Sequence, residues 1–332
     1  MGFLAKFKPR GREASLAVIL VFTIAVTSIL NPRFVTGSGT RDLLNGTSIV
    51  ALLAIGLTPI VVMRHIDLSI ASTVGFSAWV VAAASASHPN FTVFQAFLIG
   101  PALGMMVGVL NGVLVAGLRL PSLVVTLGTL YIVRGLDYVV SNSVDYNAQD
   151  LPKSLLSLGH LTFFGLLPFT FLIVILGVLA TAWYMKYVKS GRDRYAIGSN
   201  PPAAELVGIP IFRRTFFAYV FSGFMAGIAG VFYLMRFGQV DATAFYGQEL
   251  GVVAAVVVGG VAIFGGSGTT IGAGIGALLV QTIGSALSAL GFDAFWKQAV
   301  NGLLLITAIY ADRVLARRSE LVLLAQRIRE RV

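Results

Sequence analysis

Ten stretches of the chain are almost continuously apolar: residues 14–30, 43–63, 68–87, 93–118, 123–140, 163–185, 215–234, 250–264, 270–290 and 299–311. None has the wide polar face of a helix at a protein surface, and most approach the ~20 residues that cross about 30 Å of hydrocarbon. The pattern predicts some ten membrane-crossing helices. Pro59 is placed to kink the second of them near its end. The run 14–30 follows Lys6, Lys8, Arg10 and Arg12 in the manner of a signal peptide. It is long for such a segment and reaches Asn31-Pro32 without a small-residue cleavage site, so a retained first helix is expected. The short eighth and tenth runs, and the Arg64 to Asp67 turn, suit re-entrant or broken helices as well as full spans.

The polar intervals set the orientation. Lys and Arg in short loops gather on the cytoplasmic side of a membrane. With the N-terminus inside and ten crossings, 18 of the 24 Lys and Arg fall on the inner side, five on the outer side, and Arg134 within a span. Both termini are thus expected in the cytoplasm, as residues 1–13 and 313–332, with a central cytoplasmic loop at 186–214. Five spans on either side of that loop imply two five-helix halves of opposite orientation, the plan of inverted-repeat transporters, although no residue-level repeat is visible. The expected fold class is an all-α integral membrane protein, with residues 1–332 as one polytopic domain.

The central loop carries its own local signals. Asn200 suits a helix N-cap, Pro201 the first helical position and Gly208 the left-handed residue after the end, which predicts a helix of about two turns at 201–207. So short a helix is marginal alone and must pack on something, either the protein's own surface or a partner.

Composition supports the membrane assignment. Hydrophobic residues make up 57% of the 332 and charged residues only 11%, where a soluble domain has about a quarter charged; mean hydropathy is +0.87. The net charge of +10 lies in short loops beside apolar runs, so nucleic acid is not an expected partner and the lipid bilayer is. The absence of cysteine removes disulfides and thiolate chemistry. His65, His88 and His160 lack metal-ligand spacing, and no catalytic constellation is evident, so neither a metal site nor an enzyme is expected. The phosphate-binding pattern G-x-x-x-x-G-K-[ST] is absent, and no cofactor is expected.

Ionisable residues within spans mark pathways or structural pairs. Arg134 and Asp137, three apart, can pair on one helical face. Asp67 can cap the third span or pair with a neighbouring base. Asn111, Thr126 and Gln281 suit either solute hydroxyls or helix-to-helix hydrogen bonds. These six are the substrate-pathway candidates. Glycines recur every fourth residue at Gly100, Gly104 and Gly108, at Gly223 and Gly227, and at Gly268, Gly272 and Gly276, which suits close helix packing. The cluster Gly265-Gly266-Ser267-Gly268 suits a tight turn.

Several blocks together resemble the permease subunit of bacterial ABC importers for sugars, the family that handles ribose, arabinose, xylose, rhamnose and the furanose autoinducer-2. They are Ile66-Asp67-Leu68-Ser69; Pro121 to Thr129 with Arg134-Gly135; Gly191-Arg192 through Asn200, with Ala203-Ala204 and Gly208-Ile209; Glu249-Leu250; Ala254 to Gly260; and Gly265 to Gly268. The likeness spans about residues 43–312. It implies alternating access driven by two separate ATP-binding subunits, an extracytoplasmic solute-binding protein and a second permease, identical or paralogous, in a bacterial inner membrane. It also implies that the central loop couples to the ATPases, with Gly191, Arg192, Ala203, Ala204, Glu205 and Gly208 as candidate coupling residues. Arg64-His65 stands where many sugar permeases carry two glycines, which leans the likeness toward the rhamnose or autoinducer-2 branch. Permeases for branched-chain amino acids or nucleosides share the architecture. An ion-coupled secondary transporter would need a mid-span acid, for which Asp137 is the deep candidate.

Overall fold

The computed structural model describes residues 11–329. The expected cytoplasmic N-terminus lies mostly outside the described residues, and so does the end of the C-terminal tail. The elements are α1 (Gly11–Leu30), α2 (Gly37–Val62), α3 (Ile70–Ser87), α4 (Val93–Gly112), α5 (Ser122–Ser141), α6 (Lys153–His160), a hairpin of two-residue strands β1 (Thr162–Phe163) and β2 (Leu167–Pro168), α7 (Phe169–Tyr187), α8 (Lys189–Ser199), α9 (Pro201–Leu206), α10 (Ile211–Phe237), α11 (Glu249–Val258), α12 (Thr270–Ala289) and α13 (Ala294–Arg329).

Each of the ten apolar runs contains a helix, although run 163–185 opens in the β1–β2 hairpin, and not all ten are full spans. Among the described residues, α2, α3, α4 with its continuation to Gly117, α5, α7, α10 and α12 are long and apolar enough to cross a membrane. The apolar part of α1, Ser15–Leu30, is shorter, and α11 has only ten residues. Ten residues rise about 15 Å, half the hydrocarbon thickness, so α11 is a half-helix. The chain leaves it through turns at Gly259-Gly260 and Gly265 to Gly268 instead of continuing as the single span 250–264. Run 299–311 lies inside the 36-residue α13. The fold class is all-α and of membrane type, with seven helices of full spanning length among the described residues.

Local chemistry explains the element ends. Thr36 caps α2 and Thr269 caps α12, the latter accepting the Gly272 amide at 3.0 Å. Thr92 and Gln95 form a reciprocal capping box at α4. After Gly112 the helix loosens into one π-turn, with Leu118 N–H donating to the Val113 carbonyl at 3.1 Å. Gly238 ends α10 in the left-handed region, at φ 62°.

The core is centred on α2 and α10, whose most extensive neighbour is α4. The glycine stripe of α4 is the reason: a Cβ on Gly104 would collide with the Gly223 carbonyl, one on Gly100 would lie 2.9 Å from the Gly227 carbonyl, and one on Gly108 would collide with the Tyr219 carbonyl. The two backbones touch, as small-residue faces permit in lipid, where apolar burial gives no drive for helices to associate. Gly272 and Gly276 of α12 meet Gly259 and Ala255 at the end of α11 in the same way. One buried apolar cluster draws residues from both sides of the central loop, including Ile55 and Val74 before it and Phe232 and Val256 after it.

Candidate functional site

The six pathway candidates fall in three places. Asp67, Asn111 and Thr126 belong to one buried polar lock on the segment that joins α2 to α3. The Asp67 carboxylate is 1% exposed and accepts the Ser69 N–H at 3.0 Å, the Ser69 hydroxyl at 2.6 Å and the Ser222 hydroxyl of α10 at 2.9 Å. Asn111 of α4 donates to the Ser69 Oγ at 2.8 Å and accepts from Thr129 of α5 at 2.7 Å. Ile66 is held through both its backbone groups: Ser122 Oγ accepts its N–H at 3.2 Å, while Thr126 and Tyr219 hydroxyls donate to its carbonyl at 3.3 Å each. The Ile66-Asp67-Leu68-Ser69 motif is thus a knot tying together α3, α4, α5 and α10. Ser69 is the residue flanking α3, and Asp67 bonds its N–H instead of an amide inside the helix. Among the described residues no base pairs with this carboxylate, and Arg64 reaches instead to Gly198 and Ser199.

Arg134 and Asp137 lie in the C-terminal half of α5, with Arg134 Nη1 3.7 Å from Asp137 Oδ2. The same nitrogen donates to the carbonyls of Ala242 at 3.2 Å and Ala244 at 3.0 Å, and the guanidinium stands 5.5 Å from the Tyr246 ring centroid. Beside them is a cavity of about 250 Å³ between α5, α11 and α13, lined by Tyr131, Arg134, Tyr246, Glu249, Gln298 and Asn301 among others. Glycines make the room: a Cβ on Gly251 would sit 2.7 Å from the Asn301 amide nitrogen and one on Gly247 2.9 Å from that of Gln298. The cavity offers two tyrosine faces, two amides, a carboxylate and a guanidinium. That inventory can stack on and hydrogen-bond a small polyhydroxylated solute. Sequence reasoning missed Tyr131, Tyr246, Gln298 and Asn301 as site residues. The available signal was the i, i+3 spacing of Gln298 and Asn301 beside a half-helix that begins at Glu249. Gln281 lies elsewhere, on α12, donating to Ser285 Oγ at 3.2 Å and packed with Arg236 over Gly46.

The central loop is helical nearly throughout. Asn200 Oδ1 accepts the Ala203 N–H at 3.2 Å, Pro201 opens α9 and Gly208 has φ 77°. Upstream, α8 is anchored on both sides. Arg214 of α10 donates through Nη2 and Nε to one oxygen of Asp193, Oδ2, at 2.6 and 2.8 Å, while Arg194 donates to the Tyr184 hydroxyl at 2.7 Å. Gly191 is buried because a Cβ there would strike the Tyr184 backbone, and Arg192 faces outward. On α9, Ala204 is buried, Ala203 and Glu205 are exposed, and Leu206 and Val207 stand 89% and 75% exposed. The end of α8 meets two membrane elements at one joint. Arg64 donates through Nε to the Gly198 carbonyl and through Nη2 to the Ser199 carbonyl at 2.7 Å. The Gly266 N–H donates to the Val62 carbonyl at 2.9 Å, and the Tyr195 hydroxyl to the Gly268 carbonyl at 3.0 Å. Burial holds the neighbouring His65 imidazole below its ordinary pKa and so neutral at pH 7. Among the described residues no group of three or more His, Asp or Glu side chains is arranged to hold a metal ion.

A family model described as branched-chain amino acid transport system/permease component matches residues 39–309. Among curated relatives, the autoinducer 2 import system permease protein LsrC of Enterobacter sp. (strain 638) is 33% identical over 305 residues, covering 92% of this chain and 87% of its own length. Its counterpart in Klebsiella pneumoniae subsp. pneumoniae has the same identity and coverage, and that of Yersinia pseudotuberculosis serotype O:1b is 32% identical over 309 residues, or 93% and 87% of the two chains. No solved structure matches. With seven full-length apolar spans, a glycine-packed helix core and a family match over most of its length, this chain belongs to that family of transport permease components and is a membrane transport subunit, not an enzyme.

Proposed function

We propose that this chain is the membrane-spanning subunit of an ATP-driven importer in a bacterial inner membrane, moving a small hydroxyl-rich solute of the autoinducer-2 or sugar type. ATP-binding subunits, a solute-binding protein and a second permease copy or paralogue complete the assembly. The observation that carries this reading is the joint at the end of α8. The short helix α9, with two bare apolar side chains at Leu206 and Val207, follows directly on α8, and α8 is tied through Arg64, Gly198 and Tyr195 to the end of α2 and the turn before α12. Those side chains offer a partner a surface to bury, and a push on α9 is delivered to two membrane elements at once. Gly191, Arg192, Ala203, Ala204, Glu205 and Gly208 are the coupling residues in this reading. Among the pathway candidates, Arg134 meets solute with Tyr131, Tyr246, Glu249, Gln298 and Asn301, while Asp137 orients it and Asp67, Asn111, Thr126 and Gln281 hold the surrounding helices in place.

Alternating access between two inverted halves is supported by the packing. The helix α3 lies against α4 and α5 as α11 lies against α12 and α13, and α4 packs on α10 as α12 packs on α2. That correspondence relates the two halves through the α2–α10 contact. Within it both termini lie in the cytoplasm, consistent with the bias of basic residues.

The test is co-purification and transport. Ala204→Trp or Gly208→Trp should weaken association with the ATPase or uncouple hydrolysis from uptake, while the outer face still docks its binding protein. Wild-type association and transport in both variants would make α9 a plain surface helix and sink the coupling assignment. A second reading, import of branched-chain amino acids, is favoured by the presence of Arg134 and Glu249 on one cavity, able to meet a carboxylate and an ammonium. Competition of uptake by autoinducer-2 on one side and leucine on the other separates the two.

A further inference from the structure

A second cavity, of about 340 Å³, lies under α9 at the inner ends of α2, α4 and α10, away from the cavity between α5, α11 and α13. Its charged lining is Arg64, Arg119 and Glu205, and its apolar lining includes Val115, Leu120 and Phe212. Leu120 and Phe212 are 43% and 50% exposed, one just past the continuation of α4 and the other at the start of α10. The cavity therefore joins three charged groups to an exposed apolar flank.

The two arginines are placed in an unusual way. Arg64 follows α2 and Arg119 follows the π-turn of α4, and both take the left-handed backbone conformation, at φ 68° and 56°. Each such residue costs about 1–2 kcal/mol, which glycine would avoid. In both cases the strained residue is a base that reaches the same cavity. Arg64 uses Nε and Nη2 on the α8 carbonyls, leaving Nη1, and Arg119 has no side-chain partner among the described residues. With His65 neutral, two guanidiniums face one carboxylate, and one positive charge is left over.

We propose that this cavity binds the headgroup of an anionic phospholipid from the cytoplasmic leaflet, and that the bound lipid sets the position of α9. A single phosphodiester balances the excess charge and accepts from Arg119 and Arg64, as basic pockets between membrane helices do for such headgroups. Hydroxyls of a glycerol headgroup can donate to Glu205, and the acyl chains leave over Leu120 and Phe212. Glu205 belongs to α9, so lipid and coupling helix share a contact. The proposal rests on the orientation and the coupling role of α9 proposed above, and survives if the transported solute proves to be something else.

The full chain in nanodiscs or detergent, titrated with phosphatidylglycerol, tests this by native mass spectrometry and thermal unfolding. Wild-type protein should retain one more phosphatidylglycerol than Arg119→Ala and be stabilised by it, with occupancy about fivefold lower in the variant. Arg119→Lys, which keeps the charge, should recover most of that occupancy, and Arg119→Gly, which relieves the left-handed strain, should not. Equal retention by wild type and Arg119→Ala overturns the proposal. So does equal stabilisation by phosphatidylcholine, which would mean an unspecific lipid groove, or by inorganic phosphate alone, which would mean a free-anion site.

Discussion

Arg64 Nη2 donates to the Ser199 carbonyl at 2.7 Å, across 135 residues of sequence, and so binds the C-terminal end of α2 to the last turn of α8. The contact closes the C-terminal carbonyls of α8 with a cation, the sign that the helix dipole favours there. Arg64→Ala removes it without disturbing the core. Because the guanidinium remains partly in water, thermal stability should fall by no more than about 1 kcal/mol. Transport per ATP hydrolysed should fall several-fold, and Arg64→Lys should restore only part of it, because an ammonium cannot reproduce the two-point fork. Unchanged coupling in Arg64→Ala, measured in vesicles containing the assembled importer, would remove this contact from the mechanism.

At the same joint, Gly198 has no room for a side chain: a Cβ would overlap the Val62 carbonyl and lie 2.6 Å from the Gly266 nitrogen. Alanine would ordinarily stabilise a helical glycine position by about 0.5–1 kcal/mol. Here Gly198→Ala should instead destabilise by at least about 1 kcal/mol and depress uptake, since α8 must retreat from α2. A thermal scan that shows stabilisation would mean the joint is loose.

The α4–α10 crossing gives a paired comparison. Gly104→Ala places a methyl on the Gly223 carbonyl, whereas Gly135→Ala on α5 meets nothing within 4 Å. The first should cost about 1–3 kcal/mol and the second nothing or a small gain. Unfolding of the two purified variants in one detergent measures the difference, and equal effects would contradict the close approach.

Asp67 is tested by two substitutions. Leucine leaves the Ser69 amide and the Ser222 hydroxyl buried without their acceptor, a loss of about 1–3 kcal/mol for each orphaned group. Asparagine keeps one acceptor oxygen and nearly the same volume, so Asp67→Asn should retain most of the stability. If both variants unfold at the same temperature, the knot depends on the negative charge and not on its hydrogen bonds.

Gln298→Ala and Asn301→Ala should raise the solute concentration for half-maximal uptake by roughly tenfold, the loss expected for about 1.4 kcal/mol of hydrogen bonding. ATPase association should be unchanged, because neither residue is near α8 or α9. Uptake curves and co-purification on the same membranes decide whether the outer cavity meets solute.

The sequence by itself determined the parts governed by nearest neighbours along the chain. Runs of apolar residues had to become helices because a backbone in lipid can satisfy its hydrogen bonds only internally. Asn200, Pro201 and Gly208 bracketed α9 because caps act within one turn, and Gly100, Gly104 and Gly108 announced a close crossing. What only the tertiary structure decided is which groups face each other. Run 250–264 suits a full span or a broken helix, and the structure breaks it where Gly259 lies against α12 and Gly260 turns the chain at φ 96°. Asp67, Asn111 and Thr126 are far apart in the sequence and meet around Ile66 and Ser69, with Ser222 and Thr129 as further partners, because α4, α5 and α10 converge there. Tyr131, Gln298 and Asn301 read as ordinary helix residues until α5 and α13 bring them to one cavity. A hydrogen bond depends on the last ångström of separation between helices, and that distance is set by packing across the whole bundle, not by any stretch of the chain.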